Sequence, residues 1–158
     1  DNCLLVQCEQ FHKSSDLFSN EYAYFASISK SWVKHAEIFC DQITSELSLS
    51  SESNVCEIAA NDGYLLQNFL NTEINAFGIE PTASTAEHAR KIGIDIIQDF
   101  FSSSLANDLV KERGLCDLVI ANNVLLTFQI LTTLLLALRL FSMKLGPLRL
   151  NFSMSSAF

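Results

Sequence analysis

The 158-residue chain is short of positive charge: ten Lys and Arg stand against eighteen Asp and Glu, the formal charge is −8, and no Lys/Arg cluster occurs. An acidic surface repels the phosphates of nucleic acid and of anionic membranes, so neither is an expected partner. The five cysteines, Cys3, Cys8, Cys40, Cys56 and Cys116, lack the spacing of a disulfide framework, and pairing four would strand the fifth. Free thiols in a reducing cytosol are the simpler expectation, which makes the expected location cytoplasmic. Charge of either sign is sparse, at 18% of residues against 49% hydrophobic, which excludes wholesale disorder and lets one domain bury a core. A basic-then-apolar targeting segment is missing after Asp1, and a start at Asp1 rather than Met leads us to expect that the natural beginning lies upstream. Long apolar runs are missing too. The uncharged stretch Val124–Leu138 has fifteen residues and contains Thr127, Gln129, Thr132 and Thr133. A membrane helix needs roughly 20, so a buried helix suits it better.

What is present is a change of rhythm. Between Ser27 and Leu47, Ile28, Trp32, Ala36, Phe39 and Ile43 recur every three or four residues, which predicts a helix with one buried face. Residues 48–54 are a loop by composition. Short apolar strands are then expected at Val55–Ala59, Asn75–Ile79, Ile94–Ile97 and Asp117–Ala121, with helices at Tyr64–Leu70, Ala83–Lys91 and Ser103–Glu112. Thr82 is placed to cap the second of these helices and Gly93 to close it. Strand and helix alternating over such short connections predict an α/β fold with a parallel, Rossmann-like sheet. Right-handed crossovers put the second and third strands on one side of the first and the fourth on the other. Ligands of such sheets bind at the carboxyl ends of strands one and four.

Three signals fall at those strand ends. The first is the turn Glu57-Ile58-Ala59-Ala60-Asn61-Asp62-Gly63, where Gly63 removes a Cβ from a place of close approach and the small Ala59 and Ala60 keep the floor shallow. The second is Glu80, 23 residues beyond Glu57, a carboxylate able to accept both hydroxyls of a ribose. The third is Asp99-Phe100-Phe101, an acid for an adenine amino group and an aromatic to cover its ring. Singly, each has a plain structural explanation as a cap or turn residue; together they predict an adenosine site. The glycine-rich G-x-G-x-x-G turn of a pyrophosphate site is absent, and Glu57, Asn61 and Asp62 crowd the turn instead. Carboxylates repel a diphosphate but suit an ammonium and a sulfonium. The expected cofactor is therefore S-adenosyl-L-methionine (SAM).

The segment Glu57–Leu66 resembles the first motif of the sugar C-methyltransferases, which methylate a carbon of a nucleotide-linked deoxysugar. The resemblance continues through Gly78-Ile79-Glu80-Pro81, Asp99-Phe100-Phe101 and Asp117–Val124, and upstream through Phe18-Ser19, Tyr22-Ala23-Tyr24-Phe25 and Ser31–Ala36. It spans about four-fifths of the chain, from Cys3 to Leu126. It implies a class I methyltransferase domain, a small-molecule acceptor and cofactor contacts at Glu57, Ala59, Asn61, Gly63, Glu80, Asp99, Phe100 and Asn122. It also implies a substrate-facing tyrosine, Tyr22 or Tyr24, between which the pattern does not choose; both can equally well pack across the crevice. Members usually begin with a four-cysteine zinc domain, and Asn2-Cys3-Leu4 is similar to the segment around its last ligand. One or two thiolates cannot make a tetrahedral site, so no structural metal is expected.

Departures begin at Thr127, which stands where the family has a histidine; a hydroxyl does not titrate near neutrality and cannot serve as that base. Thr127–Leu134 can be encoded as ACG TTC CAG ATA TTA ACG ACT TTG. Read one nucleotide earlier, after a C, this gives His-Val-Pro-Asp-Ile-Asn-Asp-Phe, which matches the family's continuation. The expectation is a frameshifted tail, an incomplete sheet and a catalytically impaired fragment. The predicted organisation is a zinc-domain remnant at 1–13, a helical lead-in at 14–53, the SAM-binding core at 54–126 and an aberrant tail at 127–158. Three other functions stay open: a small-molecule O- or N-methyltransferase, an NAD-dependent oxidoreductase, and a non-enzymatic binding fragment.

Overall fold

A computed structural model describes residues 24–122. Strand β1 is Asn54–Ile58, β2 Asn75–Ile79, β3 Asp95–Ile97 and β4 Leu118–Ile120; helix α1 is Lys30–Leu47, α2 Ala83–Lys91 and α3 Ser103–Arg113. Short 3₁₀ turns occupy Ala26–Ile28 and Leu66–Phe69. Tyr22, the early cysteines, the apolar run from Val124 and the tail lie outside the described residues.

The four strands form one parallel sheet in the order β3-β2-β1-β4. This is the order expected from right-handed crossovers, with β1 in the middle. Side chains alternate across the sheet. Val55, Leu118, Ile120 and Ile96 face a core shared with Ala36, Cys40 and Ile43 of α1 and Ala86 and Ala89 of α2. Cys56, Ile58, Phe77, Ile79 and Val119 face a second core with Ala106 and Leu109 of α3. Burial on both faces explains why the strands read as short apolar runs rather than as alternating patterns. Gly78 lets β2 and the first turn meet: a Cβ there would lie 2.6 Å from both Ala60 Cβ and Ile96 Cδ1.

Three local expectations need correcting. Tyr64–Leu70 is a turn leading into a 3₁₀ segment, not an α-helix. Its own polar side chains compete for the carbonyls: Gln67 Nε2 donates to Tyr64 O, Asn68 Nδ2 to Leu65 O and Thr72 Oγ1 to Phe69 O. Ile28 is 78% exposed, in the 3₁₀ turn ahead of α1, and Cys40 takes its place on the buried face. Thr82 does occupy the α2 N-cap, but its hydroxyl makes no cap hydrogen bond. Gly93, at φ 97°, follows the C-cap of α2 in the left-handed conformation as expected. Cys40, Cys56 and Cys116 are free, buried thiols. Among the described residues no helix is long and apolar enough to cross a membrane.

The turn after β1 is tightly wound, with Ala59, Asn61 and Gly63 at φ 56°, 52° and 82°. An alanine held left-handed costs roughly 1–2 kcal/mol, part of which glycine returns to the unfolded chain as entropy. Since Ala59 is exposed, Ala59→Gly is expected to raise stability by about 0.5–1 kcal/mol, read as a higher urea midpoint at unchanged slope.

Candidate functional site

The sheet gathers three acids behind the carboxyl end of β1. Glu57 is 1% exposed, Asp62 fully buried and Glu80 4% exposed. Glu57 sits on β1 facing the α1 and α2 side, and Asp62 lies in the turn that follows. Glu80 follows β2 and is drawn against that turn: its Oε2 accepts from the Asn61 N–H at 2.9 Å and its Oε1 from the Thr82 N–H at 2.9 Å. Burial pushes the Glu57 carboxyl well above the ordinary glutamate range, and the neighbouring Glu80 and Asp62 push it further. Ion pairs of the described residues lie elsewhere, as in Lys34–Glu37 on α1 and Arg113–Asp95 at the opposite strand ends.

Several buried acceptors here lack a donor. Glu57 Oε2, Asp62 Oδ1 and Asn122 Oδ1 have no hydrogen-bond partner, and neither has the Thr82 hydroxyl. Buried polar atoms are normally satisfied, and an unsatisfied one costs about 1–3 kcal/mol. These are positions that a hydrogen-bond donor would satisfy.

The other predicted residues fall around these acids. Asn122, just past β4, donates through Nδ2 to the Tyr64 hydroxyl at 3.2 Å. Burial first, then the Glu57 charge, pushes the Tyr64 phenol up. Tyr64 in turn lies 6.1 Å, centroid to centroid, from the Trp32 ring of α1. Asp99 follows β3 on the same sheet edge and caps its own turn, its Oδ1 accepting from the Phe100 N–H at 2.7 Å. Phe100 is 42% exposed, whereas Phe101 enters the α3-side core. Tyr24 is 60% exposed, and its carbonyl accepts from Asn61 Nδ2 at 3.0 Å.

Gly63 also has a packing reason. A Cβ there would lie 2.3 Å from Ile94 Cδ1 and 3.2 Å from Ala89 Cβ, so it makes room for α2 and the start of β3. Sequence reasoning left out Tyr64 and Thr82 and counted Asp62 only as a turn charge. Tyr64 stood only as the first residue of an expected helix, and Thr82 as a cap. A groove of about 420 Å³, lined by Asn54, Phe69, Asn75, Phe77 and Arg113 among others, opens at the amino ends of the strands, away from the acids.

No family model matches the sequence. The C-methyltransferase NovU of Streptomyces niveus is 25% identical over 104 residues, which make up 66% of this chain and 25% of NovU. The plantazolicin methyltransferase BpumL, solved with a triazolic desmethylPZN analog and SAH, superimposes with a TM-score of 0.53 at 15% identity, over 82% of this chain and 47% of BpumL. A SAM-dependent methyltransferase from Thiobacillus denitrificans, in complex with S-adenosyl-L-homocysteine, gives 0.52 at 10% identity, over 84% of this chain and 50% of that one. The chain spans a quarter of the length of this curated relative and about half that of these solved structures. Order β3-β2-β1-β4, helices on both faces and these superpositions agree: the chain has the Rossmann-like fold of class I methyltransferases.

Proposed function

We propose that this chain carries the cofactor site of an S-adenosylmethionine-dependent methyltransferase whose acceptor is a carbon of a nucleotide-linked deoxysugar. The observation that carries the reading is the pair of buried, partnerless carboxylate oxygens on Glu57 and Asp62, beside a third buried acid. Bound SAM supplies an electrophilic methyl group on a sulfonium. The chain's own residues provide the rest. Glu57 and Asp62 offer negative charge to the cofactor's positive groups in a dry site, where charge pairing is strong. Glu80 spends one lone pair of each oxygen on the Asn61 and Thr82 amides and keeps the others for ribose hydroxyls. Asp99 and the exposed Phe100 flank the adenine position. Methylating a carbon beside a carbonyl also requires removal of the adjacent proton, and Tyr24, at the mouth, or Tyr22 is the group we assign to the sugar side. The NovU likeness and the motif pattern favour carbon as the acceptor atom over oxygen or nitrogen.

Titration calorimetry of the full 158-residue chain tests the reading. SAM and SAH are expected to bind at roughly 10–100 μM, about −5.5 to −7 kcal/mol, with no heat from NAD at 1 mM. Binding of NAD with none of SAM or SAH would refute it, because acids beside the turn would then be tolerating a diphosphate.

A further inference from the structure

The first turn holds on to residues 24–27 as well as to the acids. Asn61 Oδ1 accepts from the Ala26 N–H at 3.0 Å, and its Nδ2 donates to the Tyr24 carbonyl at 3.0 Å. Asp62 Oδ2 accepts from the Ser27 N–H at 3.0 Å. Between these anchors the Phe25 ring meets the His88 ring of α2 edge-on, with centroids 5.6 Å apart, and His88 Nδ1 lies 3.4 Å from the Asp62 carbonyl. The Asn61 side chain thus makes three bonds to the chain itself, since Oδ1 also accepts from the Asp62 N–H at 2.9 Å. Asp62 differs: one oxygen grips Ser27 while the other is buried and unpartnered.

We propose that Asn61 is a positioning residue, which clasps residues 24–27 to the cofactor turn so that cofactor binding fixes Tyr24 in place. The inference rests on reading that turn as the SAM site. Its physical basis is a shared frame. The Asn61 backbone N–H is held by Glu80 and its side chain by the leading segment, while adjacent Asp62 faces segment and ligand site with different oxygens. A ligand donor that engages the free Asp62 oxygen stiffens the carboxylate that carries Ser27. Order at the cofactor and order at the acceptor-side tyrosine become one equilibrium, as linkage requires.

The test is hydrogen exchange of the full chain with and without SAH, using Asn61→Gly and Asn61→Asp beside the wild type. Glycine accepts the left-handed backbone at this position and removes the clasp; aspartate keeps the Oδ1 acceptor for Ala26. In the wild type, SAH is expected to slow exchange of the Ala26 and Ser27 amides at least fivefold. Asn61→Gly is expected to speed their exchange at least tenfold in the ligand-free chain and to abolish the SAH effect, with SAH affinity falling by the factor of protection lost, about fivefold. Asn61→Asp is expected to restore protection at Ala26. Bound SAH with no change at Ala26 and Ser27 in the wild type would overturn the coupling and leave the cofactor reading intact. A tenfold loss of SAH affinity in Asn61→Gly, with both amides still protected, would instead make Asn61 a cofactor ligand. No SAH binding by the wild type would refute the cofactor reading, and the coupling with it.

Discussion

Replacing Glu57 with glutamine is expected to leave the ligand-free chain folded and to cost it most of its affinity for SAM. Glutamine has the shape of a protonated glutamate, and protonated is the form that burial beside Glu80 and Asp62 favours. Removing one partner of a buried charge pair typically costs about 2–3 kcal/mol, so affinity should fall roughly 30- to 150-fold. The same residue sets a pH dependence whose sign follows from proton counts. Above the ordinary glutamate value of about 4.3 the unfolded chain has released the Glu57 proton while the native chain retains it. Raising pH therefore favours unfolding, by up to about 1.4 kcal/mol per pH unit, until the elevated native value is passed. A cationic ligand prefers the carboxylate, so across that same window SAM binding should tighten with pH and release protons. Urea denaturation between pH 5 and 8 should show this fall in the wild type and lose that component in Glu57→Gln. Identical pH profiles for the two proteins would mean that Glu57 ionises normally.

Gly63→Ala is expected to be the most destabilising single-methyl change in the turn. The new Cβ meets Ile94 Cδ1 at 2.3 Å and Ala89 Cβ at 3.2 Å, on a backbone already at φ 82°. Left-handed strain of roughly 1–2 kcal/mol and overpacking of about 1–3 kcal/mol add to some 2–5 kcal/mol. For a domain of this size, that lowers the melting temperature by on the order of 10–20 °C. Gly93→Ala is the matched control: φ is 97°, but the nearest neighbour outside the adjoining residues is Leu70 Cδ2 at 3.8 Å. Only the backbone term applies there. Equal losses at the two positions would show that conformation, and not the close seat of α2, explains Gly63.

Strand positions and sheet order were legible because they rest on strong signals. Val55–Ile58, Asn75–Ile79 and Leu118–Ile120 are apolar runs cut off by Asn, Gly or acidic residues, and crossover handedness leaves little choice of order. The place of Glu80 was legible for a similar reason: an acid at the end of the second strand, one connection after β1, stands beside the first turn. The segment after Gly63 was misread because Leu65, Leu66 and Phe69 are buried in either conformation. The deciding contest, Gln67 and Asn68 bonding carbonyls three residues back, leaves no trace in hydrophobic spacing. The bonds from the Asn61 side chain to Ala26 and Tyr24 were not legible, because nothing local announces partners 35 and 37 positions earlier. Gly63 shows the same limit, since its partner atoms lie on α2 and at the start of β3.

The clasp at Asn61 and Asp62 also has a bearing on how the chain folds. It joins positions 35 to 37 residues apart, and closing so long a loop costs about 3 kcal/mol of chain entropy before any contact repays it. Held by a few hydrogen bonds, the buried Ala26 and the Phe25–His88 contact, the segment is expected to open as a small cooperative unit at lower cost than the strands, read as faster amide exchange at Ala26 and Ser27 than in β1.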